Sequence, residues 1–268
     1  MAFNPDAIKK KLAELSGKNS KKNVMWRPEA GKSYTVRFLG FPNNDGSPFK
    51  ELWFYYGIGD SAGLLTLHQF GKPDPIQELI NKLRSDESKD SYELAKKLYP
   101  KMRAYGAIIV RGEEDKGVRL WSFGKTVYQD LLEIMLDGDF GDITDPKKGF
   151  DIKVSCEQQP GKQYADTKVR ARPNPSVLSD DPSTVRTWLD NVPNVDDMFA
   201  PKEYDELKKI INNWLNPSDD NDTGDESRAK SKQVVEADDE DEDEKPKEKS
   251  AKKSSSKKLD DAFAELDE

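Results

Sequence analysis

The sequence predicts a mainly β protein with inserted helices, an α+β chain with segments at both ends that belong to no core. Three observations set this class. Tyr34, Val36 and Phe38 alternate with Thr35, Arg37 and Leu39, and further short runs rich in β-branched and aromatic residues follow as far as residue 172. Runs with helical spacing are inserted between those strands and follow the last of them. Apolar residues make up 34% of the chain and charged residues 35%, so a sizeable share of it lies outside any core.

Taken in order, Asn4-Pro5 opens a helix well, because Asn caps and Pro is tolerated at the first helical position. Ile8, Leu12 and Leu15 form one apolar stripe, with Lys9, Lys10 and Lys11 beside it. Ser16-Gly17 ends the helix, and Lys18, Lys21 and Lys22 lie in a basic linker. So short a helix is marginal alone in water. It docks either on its own core or on a neighbouring molecule. Strands are expected at 34–39, 49–58 and 64–69, with the turn residues Pro42-Asn43-Asn44-Asp45-Gly46 after the first. Residues 75–84 and 92–98 read as two helices punctuated by Pro73, Pro75 and Pro100. A hairpin follows, 104–111 with 118–123 across the charged turn 112–117. The helix at 126–136 carries Val127, Leu131, Ile134 and Met135 as its core-facing stripe. Residues 138–146 are a loop, 150–156 and 164–172 pair across Gln159-Pro160-Gly161, and 183–189 and 202–215 are closing helices.

After Pro217 the composition changes. Residues 1–216 hold 33 cationic and 32 anionic side chains, while 217–268 hold 10 and 19, including seven consecutive acids from Asp238 to Glu244. The organisation expected is a basic arm (1–22), a folded core (23–216) and a disordered acidic tail (217–268). The tail ends in LDDAFAELDE, where Leu259, Phe263 and Leu266 share one face of a small amphipathic helix suited to docking on a partner. No apolar run is long enough to span a membrane, and the N-terminus lacks the apolar core of a signal peptide. The single cysteine, Cys156, cannot form an internal disulfide. It reads as a buried, inert thiol in a reducing cytoplasmic setting.

Several chemistries are excluded by spacing. Gly31-Lys32-Ser33 and Gly124-Lys125-Thr126 would be phosphate-binding loops only with Gly at 26 and 119, which are Trp26 and Arg119. Asp137, Asp139, Asp142 and Asp145 resemble a calcium loop, but Gly141 stands where an acid or Asn is needed. One histidine, His68, and one cysteine cannot build a Cys/His zinc site or support a Cys-His or Ser-His-Asp assignment. No pair of acids is singled out as a nuclease centre, so the chain is read as a non-enzyme.

What remains is a pattern of rings beside cations. Tyr105 follows Lys101 and Arg103; Trp121 and Phe123 lie between Arg119 and Lys125; Tyr128 comes next. On a sheet surface, such rings stack bases while the cations track phosphates, as single-stranded nucleic acid requires. The strand 164–172 adds Tyr164 and places Lys168, Arg170 and Arg172 at spacing two, on one face. A charged edge that resists aggregation looks the same, but Tyr164 on that strand favours a phosphate-tracking rail. Five or so strands, inserted helices and these aromatic-basic faces together indicate an OB-fold core.

The chain resembles the helix-destabilising single-stranded-DNA-binding protein family of T-even-like bacteriophages. The resemblance is strongest over 104–136, where AIIV leads to LWSFGKTVYQDLLEIM. It continues through 149–172, best in YADTKV, and includes Val36-Arg37-Phe38-Leu39 and the order of basic head, core and acidic tail. It implies an OB-fold groove that binds single-stranded DNA without sequence preference, in the cytoplasm of the infected host. The implied DNA-binding residues are Lys101, Arg103, Tyr105, Arg119, Trp121, Phe123, Lys125, Tyr128 and Tyr164. It also implies a basic arm, here Lys9, Lys10, Lys11, Lys18, Lys21 and Lys22, that docks on the adjacent protomer to give cooperative filaments. The acidic tail, from Asp219 to Glu268, would recruit replication and recombination proteins and compete with DNA. The best-known member holds a structural zinc after the third strand. Here that region reads LLTLHQFGKPDPIQELINKL, without cysteine, so no cofactor is expected and packing of Leu79, Ile80 and Leu83 takes the metal's place. An adaptor working through its tail, and an RNA-binding OB protein, are the alternative readings.

Overall fold

The structure, a computed structural model, describes residues 24–216 apart from 43, 45, 46, 60, 61, 87, 160 and 162–164. The expected N-terminal helix with Lys9, Lys10, Lys11, Lys18, Lys21 and Lys22 lies outside the described residues. So do Tyr164 and the whole tail, with Leu259, Phe263 and Leu266. The described strands are β1 (Met25–Trp26), β2 (Ser33–Leu39), β3 (Phe49–Tyr55), β4 (Leu64–Leu65), β5 (Lys101–Val110), β6 (Arg119–Phe123), β7 (Phe150–Glu157) and β8 (Asp166–Pro175). The α-helices are α1 (Pro75–Ser85), α2 (Lys89–Leu98), α3 (Lys125–Leu136), α4 (Pro182–Asp190) and α5 (Tyr204–Leu215). A mixed sheet with helices is thus the observed class. The chain forms two compact units: residues 24–51 with 103–198, and residues 52–102 with 199–216.

In the first unit the strand order is β1-β6-β5-β2-β7-β8. The pairs are antiparallel except β1 with β6, where Trp26 lies beside Trp121 in parallel register. β5 is central, and every residue from Arg103 to Val110 is buried. A strand covered on both faces reads as a near-continuous apolar run rather than an alternation, which is what AYGAIIV is. Farther out, β7 alternates cleanly: Ile152, Val154 and Cys156 are buried, whereas Lys153 and Glu157 are exposed.

One face of this sheet is an aromatic core. The Phe38 ring stacks on Trp121 at 6.0 Å between centroids and meets Phe49 edge-on at 5.4 Å. Trp26 meets Trp121 edge-on at 5.4 Å, and Tyr128, from α3, closes on Phe49 at 5.5 Å. Gly106 makes this possible, because a Cβ there would stand 2.5 Å from the Phe38 ring. At the far end of β2, Arg37 is fully buried. It donates to the Asp145 carbonyl (2.7 Å) and to the Ser176 carbonyl (2.8 Å) and hydroxyl (3.0 Å). Arg111 donates to the Asp151 carboxylate from Nε (3.2 Å) and Nη2 (3.0 Å), and to the Leu178 carbonyl (2.8 Å). These two arginines fasten loop backbone to the sheet.

The second unit packs α1, α2 and α5 around Tyr55, Ile58, Leu64 and Leu67, with Leu79, Ile80 and Leu83 in the same cluster. Asp74, only 2% exposed, organises its entry. One carboxylate oxygen caps α1 by accepting from the amides of Ile76 (3.0 Å) and Gln77 (3.2 Å). The other accepts from the Tyr55 hydroxyl (3.0 Å) and the amides of Leu67 (2.7 Å) and His68 (3.3 Å). Burial first, and then the Asp74 charge, hold the Tyr55 hydroxyl protonated far above its ordinary range. This explains a correction. The strand expected over 64–69 ends at Leu65, because Asp74 draws in the next amides and the chain turns through a 3₁₀ segment, His68–Phe70. Likewise the strand expected over 49–58 ends at Tyr55, and Gly57 takes a left-handed φ of 73° just beyond it.

Candidate nucleic-acid interface

The structure separates the residues expected to bind nucleic acid into two groups. Tyr105, Trp121 and Phe123 are buried, Trp121 to 2% exposure. Tyr105 lies on the central strand β5, and Trp121 and Phe123, on β6 beside it, pack against Phe38, Phe49 and Trp26. In this conformation they pack the core and offer no face to a base. Arg119 is 7% exposed and donates to Glu113 across the turn at 2.7 Å, while Arg103 is buried too. Arg119, then Lys116, hold the Glu113 carboxyl below its usual range. Tyr128 is half-buried and donates to Glu51 at 2.7 Å. Burial, and then that bond, raise its pKa well above the ordinary phenol value. Lys101 and Lys125 are exposed, each at the first position of its element.

The second group forms a surface. Alternation on β8 leaves Lys168, Arg170 and Arg172 exposed on one side while Val169 turns into the core. In the β7–β8 register, Lys153 stands directly opposite Arg170, and Ser155 opposite Lys168. On the other side of β7, Thr35 faces Lys153 and Ser33 faces Ser155. Arg172 reaches across to donate to the Thr35 hydroxyl at 3.0 Å. The face opposite the aromatic core therefore carries a band of four cations and three hydroxyls, bounded by Asp151, which Arg111 engages, and by the opposed acids Glu157 and Asp166. Lys153, Lys168 and Arg170 have no ion-pair partner among the described residues.

Like charges directly opposite each other on neighbouring strands oppose folding. Lys153 and Arg170 hold such positions, and both are exposed. Sequence reasoning missed Lys153. The signal was its parity with Asp151 and Ser155 on a strand whose alternate residues are plainly apolar.

Among the described residues, no three His, Cys, Asp or Glu side chains converge to hold a metal ion. His68 is exposed on the 3₁₀ turn, and Cys156 is buried in β7. No helix among the described residues is long and apolar enough to cross a membrane.

A solvent-facing sheet surface on which Lys153, Lys168 and Arg170 have no ion-pair partner among the described residues suits a polyanionic backbone. The family model for gp32 DNA binding protein like sequences matches residues 29–216, and the chain belongs to that family. It is the family to which the AIIV and LWSFGKTVYQDLLEIM segments point. No curated protein matches the chain by sequence.

Proposed function

We propose that this chain binds single-stranded DNA without sequence preference and protects it during phage replication, recombination and repair, in the cytoplasm of the infected host. The observation that carries the reading is the β7–β8 face, where Lys153 and Arg170 stand opposed in a protein of a DNA-binding family. Cations spaced along two adjacent strands suit a flexible phosphate backbone, and a surface without paired donors and acceptors aimed at base edges gives no sequence preference. The mixed sheet is consistent with an OB-type core, the fold that the resemblance implies. In this reading the chain needs no metal: Leu79, Ile80 and Leu83 pack in the core of the second unit, and the Asp74 carboxylate gathers the amides of Leu67, His68, Ile76 and Gln77.

In the same reading the basic arm gives cooperativity by docking on the next protomer. The tail, nine charges net negative, recruits partner proteins and competes with DNA for the cation face. The test is anisotropy with labelled oligo(dT), mixed-sequence DNA and oligo(U) of equal length, using the full chain and a chain ending at residue 216. The expected result is equal affinity for the two DNAs, weaker binding of oligo(U), and tighter DNA binding at low salt once the tail is removed. Absence of binding to any DNA would refute the function. Unchanged affinity without the tail would refute its competition with DNA.

A further inference from the structure

We infer that Trp53 and Phe70, in the unit made by 52–102 and 199–216, form a base-stacking site for unpaired nucleotides, with Lys72 beside them for a phosphate. This deepens the single-stranded-DNA reading and rests on it. Trp53 holds an unusual place for a tryptophan. Trp26, Trp121 and Trp188 are buried and Trp214 packs against a core, but Trp53 is 41% exposed. Its backbone is nonetheless held by hydrogen bonds at both amide and carbonyl. Its amide donates to the Gln69 Oε1 at 3.1 Å, and its carbonyl accepts from the Gln69 Nε2 at 3.0 Å and the Thr66 amide at 3.0 Å.

Gln69 thus stands where a strand partner would. It is itself pinned, donating from Nε2 to the Thr66 carbonyl at 3.0 Å. The next residue, Phe70, is 44% exposed on a turn closed by Gly71 in the left-handed region. Two rings are therefore presented by one hydrogen-bonded frame. Presenting a flat apolar ring on a fixed backbone lowers the ordering cost of a contact.

The surroundings indicate what the rings meet. The segment from 61 to 73, which carries Phe70, has no acid and one Lys or Arg, Lys72; Asp74 just after it is buried and fully hydrogen-bonded, and Glu51, two residues before Trp53, accepts from the Tyr128 hydroxyl. Lys72 is exposed. Rings separated by a polar side chain and followed by a cation suit a stacked base with its phosphate.

The test uses the full chain and poly(dT), following tryptophan emission and affinity together. Trp53→Ala should weaken binding about tenfold, the effect of one lost base stack. Phe70→Ala should weaken it less. Trp53→Phe should keep most of the affinity yet lose most of the emission quenching, because the other tryptophans are shielded. Trp53→Ala binding as tightly as the parent, with quenching retained, would overturn the site while leaving the DNA reading intact. An unchanged affinity accompanied by a loss of dimer in light scattering would overturn it in favour of a second copy of the chain. A parent chain that fails to bind poly(dT) at all would overturn the DNA reading, and this site with it.

Discussion

Replacing Lys153 should improve the fold and damage the function. Lys153 stands directly across from Arg170, both are exposed, and neither has an ion-pair partner among the described residues. Opposed like charges on adjacent strands cost about 0.2–1 kcal/mol. Solvent screening puts this exposed pair at the lower end, so Lys153→Ala should raise stability by about 0.3 kcal/mol. Its effect on binding follows from counterion release. On single strands each neutralised phosphate contributes about 0.7 to the slope of log affinity against log salt. Lys153→Ala should therefore lower the slope by about 0.7, and alanine at Lys153, Lys168, Arg170 and Arg172 together should lower it by about 2.8. Between about 50 and 200 mM salt the parent should lose about 50-fold more affinity than the fourfold variant. Anisotropy with labelled oligo(dT) across a salt series, with urea denaturation of the same preparations, reads both quantities. A destabilised Lys153→Ala with an unchanged salt slope would mean that the face serves the fold and not a strand of DNA.

Three further perturbations test the architecture. Asp74→Ala strands five donors in a buried site, and at about 1–3 kcal/mol for each unsatisfied group, without full additivity, the loss should reach about 4 kcal/mol or more. Thermal melting by circular dichroism would show it, and a change of about 1 kcal/mol or less would contradict the hub role. Gly106→Ala places a methyl 2.5 Å from a ring wedged between Trp121 and Phe49. It should destabilise by about 1–3 kcal/mol, and a neutral result in urea would show the core to be more pliable than this packing implies. The third is a pH effect. Asp181 caps α4, and bonds from Ser183 and Thr184 hold its pKa at about 2, below the ordinary 3.8. A depressed carboxylate stabilises fully above its unfolded value and loses that contribution as pH falls through its folded one. The cap should therefore weaken between about pH 4 and pH 2, read by NMR as loss of the Ser183 and Thr184 amide shifts. Amide shifts that change near pH 4 alone would refute the capping bonds.

The strands and helices were largely legible because alternation and stripe spacing report which side of an element is wet. Helices were expected at 75–84 and 126–136 and run Pro75–Ser85 and Lys125–Leu136. β1 escaped notice because two residues carry no period. It exists because Trp26 finds Trp121 across a parallel pair. The exposure of the candidate residues was half legible. Lys168, Arg170 and Arg172 are on one exposed face, as spacing two requires, but the rings of β5 and β6 lie inside. Cations next to rings in sequence mark a surface only if the strand has a wet side, and β5 and β6 are buried along almost their whole length. Their apolar continuity was the better signal. The exposed rings, Trp53 and Phe70, owe their presentation to Gln69 and Asp74, whose bonds depend on tertiary closure that no local pattern encodes.

The most direct test of the central claim is lysine acetylation footprinting of the full chain with and without poly(dT), read by mass spectrometry. Lys153 and Lys168 should react freely in the free protein and be shielded on DNA, while Lys89, at 86% side-chain exposure on α2, serves as the internal control. Stronger shielding of Lys153 and Lys168 than of Lys89 would place the phosphate backbone on the β7–β8 face. Equal reactivity with and without DNA, under conditions where anisotropy shows the strand to be bound, would contradict that placement.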